Sequence, residues 1–149
     1  VRHGVGLDER EVTAVRIAGG VLVDVQLDGV AAQSADPEVA AVGLTQAQAA
    51  QQGRRTTTTE LDLTGALARP WTYEQNPQGH LGLLADPDQG VLLGAWAVAP
   101  MAGEWIHQAA LAIRTAIPIE VLLDQVAQFP TYSEGFHAAL EQLDLTNTD

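Results

Sequence analysis

The sequence predicts an α+β domain, an antiparallel β-sheet with helices packed on one side. Three observations predict it. Apolar and β-branched runs punctuated by glycine and proline fill the first hundred residues, and apolar residues at helical spacing fill most of the remainder. Strands first and helices afterwards argue against alternating βαβ units. The size makes it one unit, because 149 residues, 46% of them hydrophobic, enclose one core and are too few for two ordinary domains.

The elements follow in order. Residues 11–17 and 21–27 read as two short strands joined at Ala18-Gly19-Gly20, a hairpin. Residues 30–37 are small and polar and read as a connector, with a boundary near Ala35. That boundary divides the chain into an N-terminal part, 1–34, and a main domain, 35–149. Residues 39–43 form a short apolar strand. Thr45-Gln46-Ala47-Gln48 has the Thr-x-x-Gln form in which two side chains cap a helix start reciprocally, and Gly53 ends that helix.

Four consecutive threonines within residues 54–63, followed by the alternating Leu61 and Leu63, favour a strand. Arg69-Pro70-Trp71 breaks the pattern. Residues 80–85 and 91–98 form a hairpin, its turn supplied by Asp86-Pro87-Asp88-Gln89-Gly90. After Pro100 the spacing of Trp105, Ile106, Ala109, Ala110 and Ile113 is helical, and a shorter helix over 119–126 follows Pro118. The last helix starts after Pro130. Its Phe136, Leu140 and Leu143 fall at i, i+4 and i+7, so one stripe faces a core, and the polar tail 146–149 is expected to fray.

Charge and composition narrow the function. Nineteen acidic residues stand against seven basic ones, all arginine, and the net charge of −12 repels phosphate backbones and anionic bilayers. Neither a nucleic acid nor a membrane is expected as a partner. No apolar stretch approaches the ~20 residues that span a bilayer, and no secretion signal opens the chain. With no cysteine, thiolate nucleophiles, dithiol redox centres and cysteine zinc sites are excluded within this chain. A cytoplasmic location is the expectation that accords with this.

Few residues carry chemistry by themselves. His3, His80, His107 and His137 are scattered, without the close second histidine that metal sites use. They read as surface or cap residues. Ser34 and Ser133 lack the context of a hydrolase nucleophile, and no glycine-rich phosphate cradle is present. Thr131-Tyr132-Ser133-Glu134 reads as a capping box, Thr131 capping the Glu134 amide while the Glu134 carboxylate reaches back to the Thr131 amide.

Four blocks in order carry a family resemblance. They are Asp36-Pro37-Glu38-Val39-Ala40-Ala41-Val42-Gly43-Leu44-Thr45; the Asp86 to Gly90 turn with Leu93-Gly94-Ala95; Ala102-Gly103-Glu104 with Ile106 and Ala109-Ala110-Leu111-Ala112-Ile113; and Pro130-Thr131-Tyr132-Ser133-Glu134. Together, over residues 35–143, they resemble the C-terminal interface domain of the pyridine nucleotide–disulfide oxidoreductases, the group of dihydrolipoamide dehydrogenase, glutathione reductase and mercuric reductase. The segment 19–27 faintly resembles the stretch leading from the nicotinamide domain back to the flavin domain.

The resemblance implies an antiparallel sheet backed by helices and a homodimer about a two-fold axis. It also implies a parent chain whose other domains carry FAD and NAD(P), with no cofactor bound by this chain alone. In such domains a histidine before the Pro-Thr pair, steered by the glutamate of Ser-Glu, serves the partner's flavin and cysteine pair as proton carrier. The matching positions here are Phe129 and Glu134. A phenyl ring moves no proton, so Phe129 is no general acid or base and Glu134 has no imidazole to orient. Tyr132 and His137 are the nearby groups that could supply a proton. The loss of the histidine implies a parent that is not a dithiol–disulfide reductase. The expected function is therefore a dimerisation domain without the family's catalytic histidine. The alternative is a stand-alone homodimerising or small-molecule-binding module, with a cleft between Trp71, Tyr73 and the sheet.

Overall fold

The computed structural model describes residues 37–146, together with the strand backbones of 14–16, 22–24 and 30–33. Seven strands and seven short helices fall within these residues: β1 (Ala14–Arg16), β2 (Leu22–Asp24), β3 (Val30–Gln33), β4 (Glu38–Gly43), α1 (Gln46–Gln51), β5 (Thr57–Asp62), α2 (Leu63–Ala66), α3 (Arg69–Tyr73), β6 (His80–Asp86), β7 (Val91–Ala99), α4 (Ala102–Trp105), α5 (His107–Arg114), α6 (Ile119–Leu123) and α7 (Ser133–Glu141). The first two strands pair as a hairpin, Val15 opposite Val23. Their connecting turn, His3, Ser34 and the tail 147–149 lie outside the described residues.

Strands β3 to β7 form one antiparallel sheet in the order β3-β4-β7-β6-β5. Leu81 and Leu83 of β6, Ala95, Ala97 and Ala99 of β7, Ala40 and Val42 of β4, and Leu61 of β5 form the core on one face. Leu63 of α2, Ala109 and Ala112 of α5, Ile119 and Leu122 of α6, and Phe136, Ala139 and Leu140 of α7 close over it. The two central strands thus bury nearly every residue, and their run of apolar side chains is what made them legible. Helix α1 closes one end of the opposite face, where Ala49 meets Leu84 and Leu93.

Two glycines let the backbone pack this closely. A Cβ on Gly94 would overlap the Leu44 carbonyl oxygen, and one on Gly82 would overlap the Trp96 indole lying across it. The Leu93-Gly94-Ala95 block is therefore a packing requirement, made where Leu44 N–H bonds Leu93 O at 2.8 Å.

The sequence expectations hold for the central hairpin, for the 39–43 strand and for the Thr45 capping box, in which Thr45 N–H donates to Gln48 Oε1 at 2.8 Å and Gln48 N–H to Thr45 Oγ1 at 3.2 Å. Three expectations need correction. Residues 30–33 are not connector but strand, because the free edge of β4 offers their backbone partners that composition does not show. The helix expected over 119–126 stops at Leu123, leaving Val126 in a loop. Residues 63–73 hold two short helices, with Pro70 in the first turn of α3, where a missing N–H costs nothing. Among the described residues, no helix is long and apolar enough to cross a membrane.

The turn between β6 and β7 is held by a carboxylate. Asp86, 5% exposed, accepts the Asp88 and Gln89 amides at 3.0 Å and pairs with the Arg54 guanidinium at 2.9 Å. Burial alone would push its carboxyl up; the Gln89 amide, Arg54 and the Asp88 amide together outweigh it and hold the carboxyl below its ordinary value. A carboxyl so lowered contributes stability above the unfolded value, about 3.9, and that contribution is lost as pH falls through the folded value. Urea titrations from pH 6 to pH 2 are expected to show stability falling on the acid side. In Asp86→Asn the drop is smaller and the chain less stable at pH 6.

Candidate functional site

Of the residues singled out by sequence, Phe129 and Tyr132 lie on the turn segment 124–132 between α6 and α7, and Glu134 and His137 lie in the first turns of α7 that follow it. The turn is pinned from within. Glu134 Oε2 accepts the Thr131 N–H at 2.9 Å, Thr131 Oγ1 donates to the Gln128 carbonyl, and His137 Nε2 lies 3.0 Å from the Leu123 carbonyl oxygen at its start. The expected capping box is thus half formed. Glu134 makes its bond, but the Thr131 hydroxyl is spent on Gln128 and α7 starts at Ser133 with no side-chain cap. A short turn that closes on itself satisfies the hydroxyl sooner than the helix end can.

Outside, the turn exposes Val126, Phe129 and Pro130 beside the polar Asp124, Gln125 and Gln128. Phe129 is 75% exposed and Val126 88%, the two most exposed large hydrophobic side chains among the described residues. The Phe129–Pro130 peptide is cis. Glu134 is occupied with the turn backbone and steers no ring.

Neither alternative proton carrier stands free. Tyr132 is 5% exposed and donates its phenolic hydrogen to Glu74 Oε1 at 2.7 Å. Burial first, then the bond to Glu74 and its charge, hold the phenol well above its ordinary value. It stays protonated and faces the core, its ring stacked 6.1 Å from that of Trp105. His137 is half-buried, tied to Leu123 and 3.9 Å from Glu141 one helical turn on. His80 lies on β6 opposite Asp62, and His107 is exposed at the start of α5 with Nδ1 3.4 Å from the Glu104 carbonyl. No cluster of three His, Asp or Glu residues fit for a metal occurs among the described residues.

Two helix-start amides that could meet a dinucleotide phosphate are already bonded within the chain. A dinucleotide needs free backbone amides at a helix start. Here the Gly103 amide, in the first turn of α4, is taken by Glu38 Oε2 at 3.0 Å, and the Gly135 amide in α7 goes to the Tyr132 carbonyl. Trp71, placed in the expected ligand cleft, is 62% exposed and donates its indole N–H to the Thr64 carbonyl, while the Tyr73 side chain lies outside the described residues.

Sequence reasoning missed Glu74, Trp105 and Val126. Glu74 and Trp105 join the site only through Tyr132, across sequence separations that no local pattern records. Val126 was read as the end of a helix, and only its position past Leu123 reveals its exposure.

The assembled features are a turn closed by its own hydrogen bonds, exposing Val126 and Phe129, on an antiparallel α+β domain. Over residues 31–140 the chain matches the family model for the pyridine nucleotide-disulphide oxidoreductase dimerisation domain, and it belongs to that family. It is 36% identical over 106 residues to a mercuric reductase of Shigella flexneri, covering 71% of this chain and 18% of that one. A dihydrolipoyl dehydrogenase 2 of Haloarcula marismortui is 33% identical over 109 residues, 73% of this chain and 23% of that one. Among solved structures, LpdA from Mycobacterium tuberculosis is similar with a TM-score of 0.70 and 27% identity, over 83% of this chain and 27% of that chain. The flavoprotein disulfide reductase RclA from Escherichia coli shares the fold, with a TM-score of 0.71 at 22% identity over 83% of this chain and 28% of that one. The chain therefore spans between 18% and 28% of these relatives' lengths.

The half-formed box separates two substitutions. Glu134→Ala is expected to cost about 1 kcal/mol by removing the acceptor of the Thr131 amide, whereas Thr131→Val, which loses only an exposed bond to Gln128, stays within about 0.5 kcal/mol of the original. Urea unfolding of both variants checks the order.

Proposed function

We propose that this chain is the pairing element of a longer, FAD- and NAD(P)-dependent oxidoreductase, and that it joins two copies about a two-fold axis. Membership in the dimerisation-domain family supports the reading. So does the turn, since a fixed loop that exposes a phenyl ring and an isopropyl group gains free energy when a second surface covers them. The observation that carries it is Phe129, 75% exposed on a turn held by Glu134. A stable pairing covers about 1,600 Å² in total.

In this reading the N-terminal part leads back to the flavin and nicotinamide domains and the main domain pairs, with the boundary expected between 34 and 35 moved ahead of β3, whose pairing with β4 makes residues 30–33 part of the main sheet. FAD and NAD(P) supply hydride and electron transfer in those domains, and this chain contributes shape. Phe129 occupies the place of the family's proton carrier. With hydrocarbon there, the chemistry of the parent enzyme runs without a base from this turn, which suits direct transfer between flavin and nicotinamide better than deprotonation of a dithiol. Glu134 keeps the turn closed instead of steering an imidazole.

Charge placed at an apolar contact tests this. Phe129→Asp and Val126→Asp are each expected to weaken self-association by about tenfold or more, with unfolding free energy unchanged because both side chains are solvent-exposed in the single chain. Sedimentation equilibrium across a concentration series reads the first quantity and urea unfolding the second. Unaltered self-association in both variants would remove the turn from the interface.

A further inference from the structure

The turn is anchored from below by a pair of residues that the pairing reading does not use. The Tyr132 ring lies under the turn, 6.1 Å from the Trp105 ring and within 12° of parallel to it. Trp105 is itself tied through its indole N–H to the Pro100 carbonyl at 3.1 Å. The Tyr132 hydroxyl donates to Glu74 Oε1 at 2.7 Å, a residue 58 positions earlier in the chain that caps the C-terminal end of α3. Displacing residues 130–134 strains this part-buried hydrogen bond and moves the ring off its neighbour, and a donor partly shielded from water loses stability when its acceptor is removed.

The two carboxylates at the turn therefore do different things. Glu134 bonds an amide three residues back and fixes the turn's shape. Glu74 reaches across from another element and fixes its place. We propose that Tyr132 and Glu74 are positioning residues, which together set the place and direction in which Phe129 and Val126 meet a second copy of the chain. This rests on the pairing reading above. Its benefit is preorganisation: a turn already held in place loses less conformational freedom when it is covered.

The chain has two phenylalanines, Phe129 on the turn and Phe136 at 1% exposure in the core. Replacing both by 4-fluorophenylalanine gives one fluorine resonance for the turn and one for the core. In Glu74→Ala the Phe129 resonance is expected to move and narrow while the Phe136 resonance stays in place, and self-association weakens about tenfold. Glu74→Gln keeps a carbonyl acceptor for the phenol and is expected to restore both readouts. A Phe129 resonance unmoved in Glu74→Ala overturns the positioning role, and so does a shift of both resonances together, which marks general loosening. Self-association unchanged in Glu74→Ala despite a moved Phe129 resonance overturns the link to pairing. A chain monomeric in every form overturns the pairing reading itself, and the Phe129 resonance then still decides whether Glu74 holds the turn.

Discussion

The Tyr132 ring is buried and its part-buried hydroxyl is bonded to Glu74, and the proposed arrangement of the turn above it follows from that constraint. Tyr132 lies in the core beneath the turn that bears Phe129, bonded to Glu74 and stacked on Trp105. Through it the turn is coupled to α3 on one side and to α4 on the other. The sheet and the helices over it supply the floor, with Phe136 and Leu140 of α7 fully buried one and two turns past Tyr132. What remains outside is the small apolar tip at Val126 and Phe129.

That division gives Glu134, Thr131, His137 and Tyr132 structural tasks. Glu134, Thr131 and His137 spend their hydrogen-bonding capacity on backbone atoms of the turn and of the α6 end. Tyr132 spends its own on Glu74. The two most exposed large hydrophobic side chains among the described residues, Val126 and Phe129, are hydrocarbon and transfer no proton. Family membership and the site's chemistry thus converge from separate directions, one from the order of four sequence blocks and the other from what those residues are bonded to.

Much of this was legible from sequence where local rules and tertiary packing agree. The 80–98 hairpin announced itself by apolar runs around a Pro-Asp-Gln-Gly turn, and the α7 stripe by its spacing. The Thr45 box was visible because both of its bonds lie within one helical turn. Strand β3 was not, since Val-Ala-Ala-Gln has little strand character of its own and is extended by the edge of β4. Helices α2 and α3 were hidden for a similar reason. Leu63, fully buried, turns away from β5 to seal the core beside Leu67, a demand of the fold and not of the local residues. At the site, the bond of Glu134 back to the Thr131 amide was legible, but the Thr131 hydroxyl goes to the Gln128 carbonyl and not to the helix start. The Tyr132–Glu74 bond spans 58 residues and leaves no periodic trace.

Pairing is the central claim, and the mass of the unaltered chain in solution tests it most directly. Sedimentation equilibrium from about 1 to 100 μM is expected to give twice the protomer mass over the upper part of that range, in keeping with a surface of about 1,600 Å² buried between copies. A single species at the protomer mass throughout the range would contradict it.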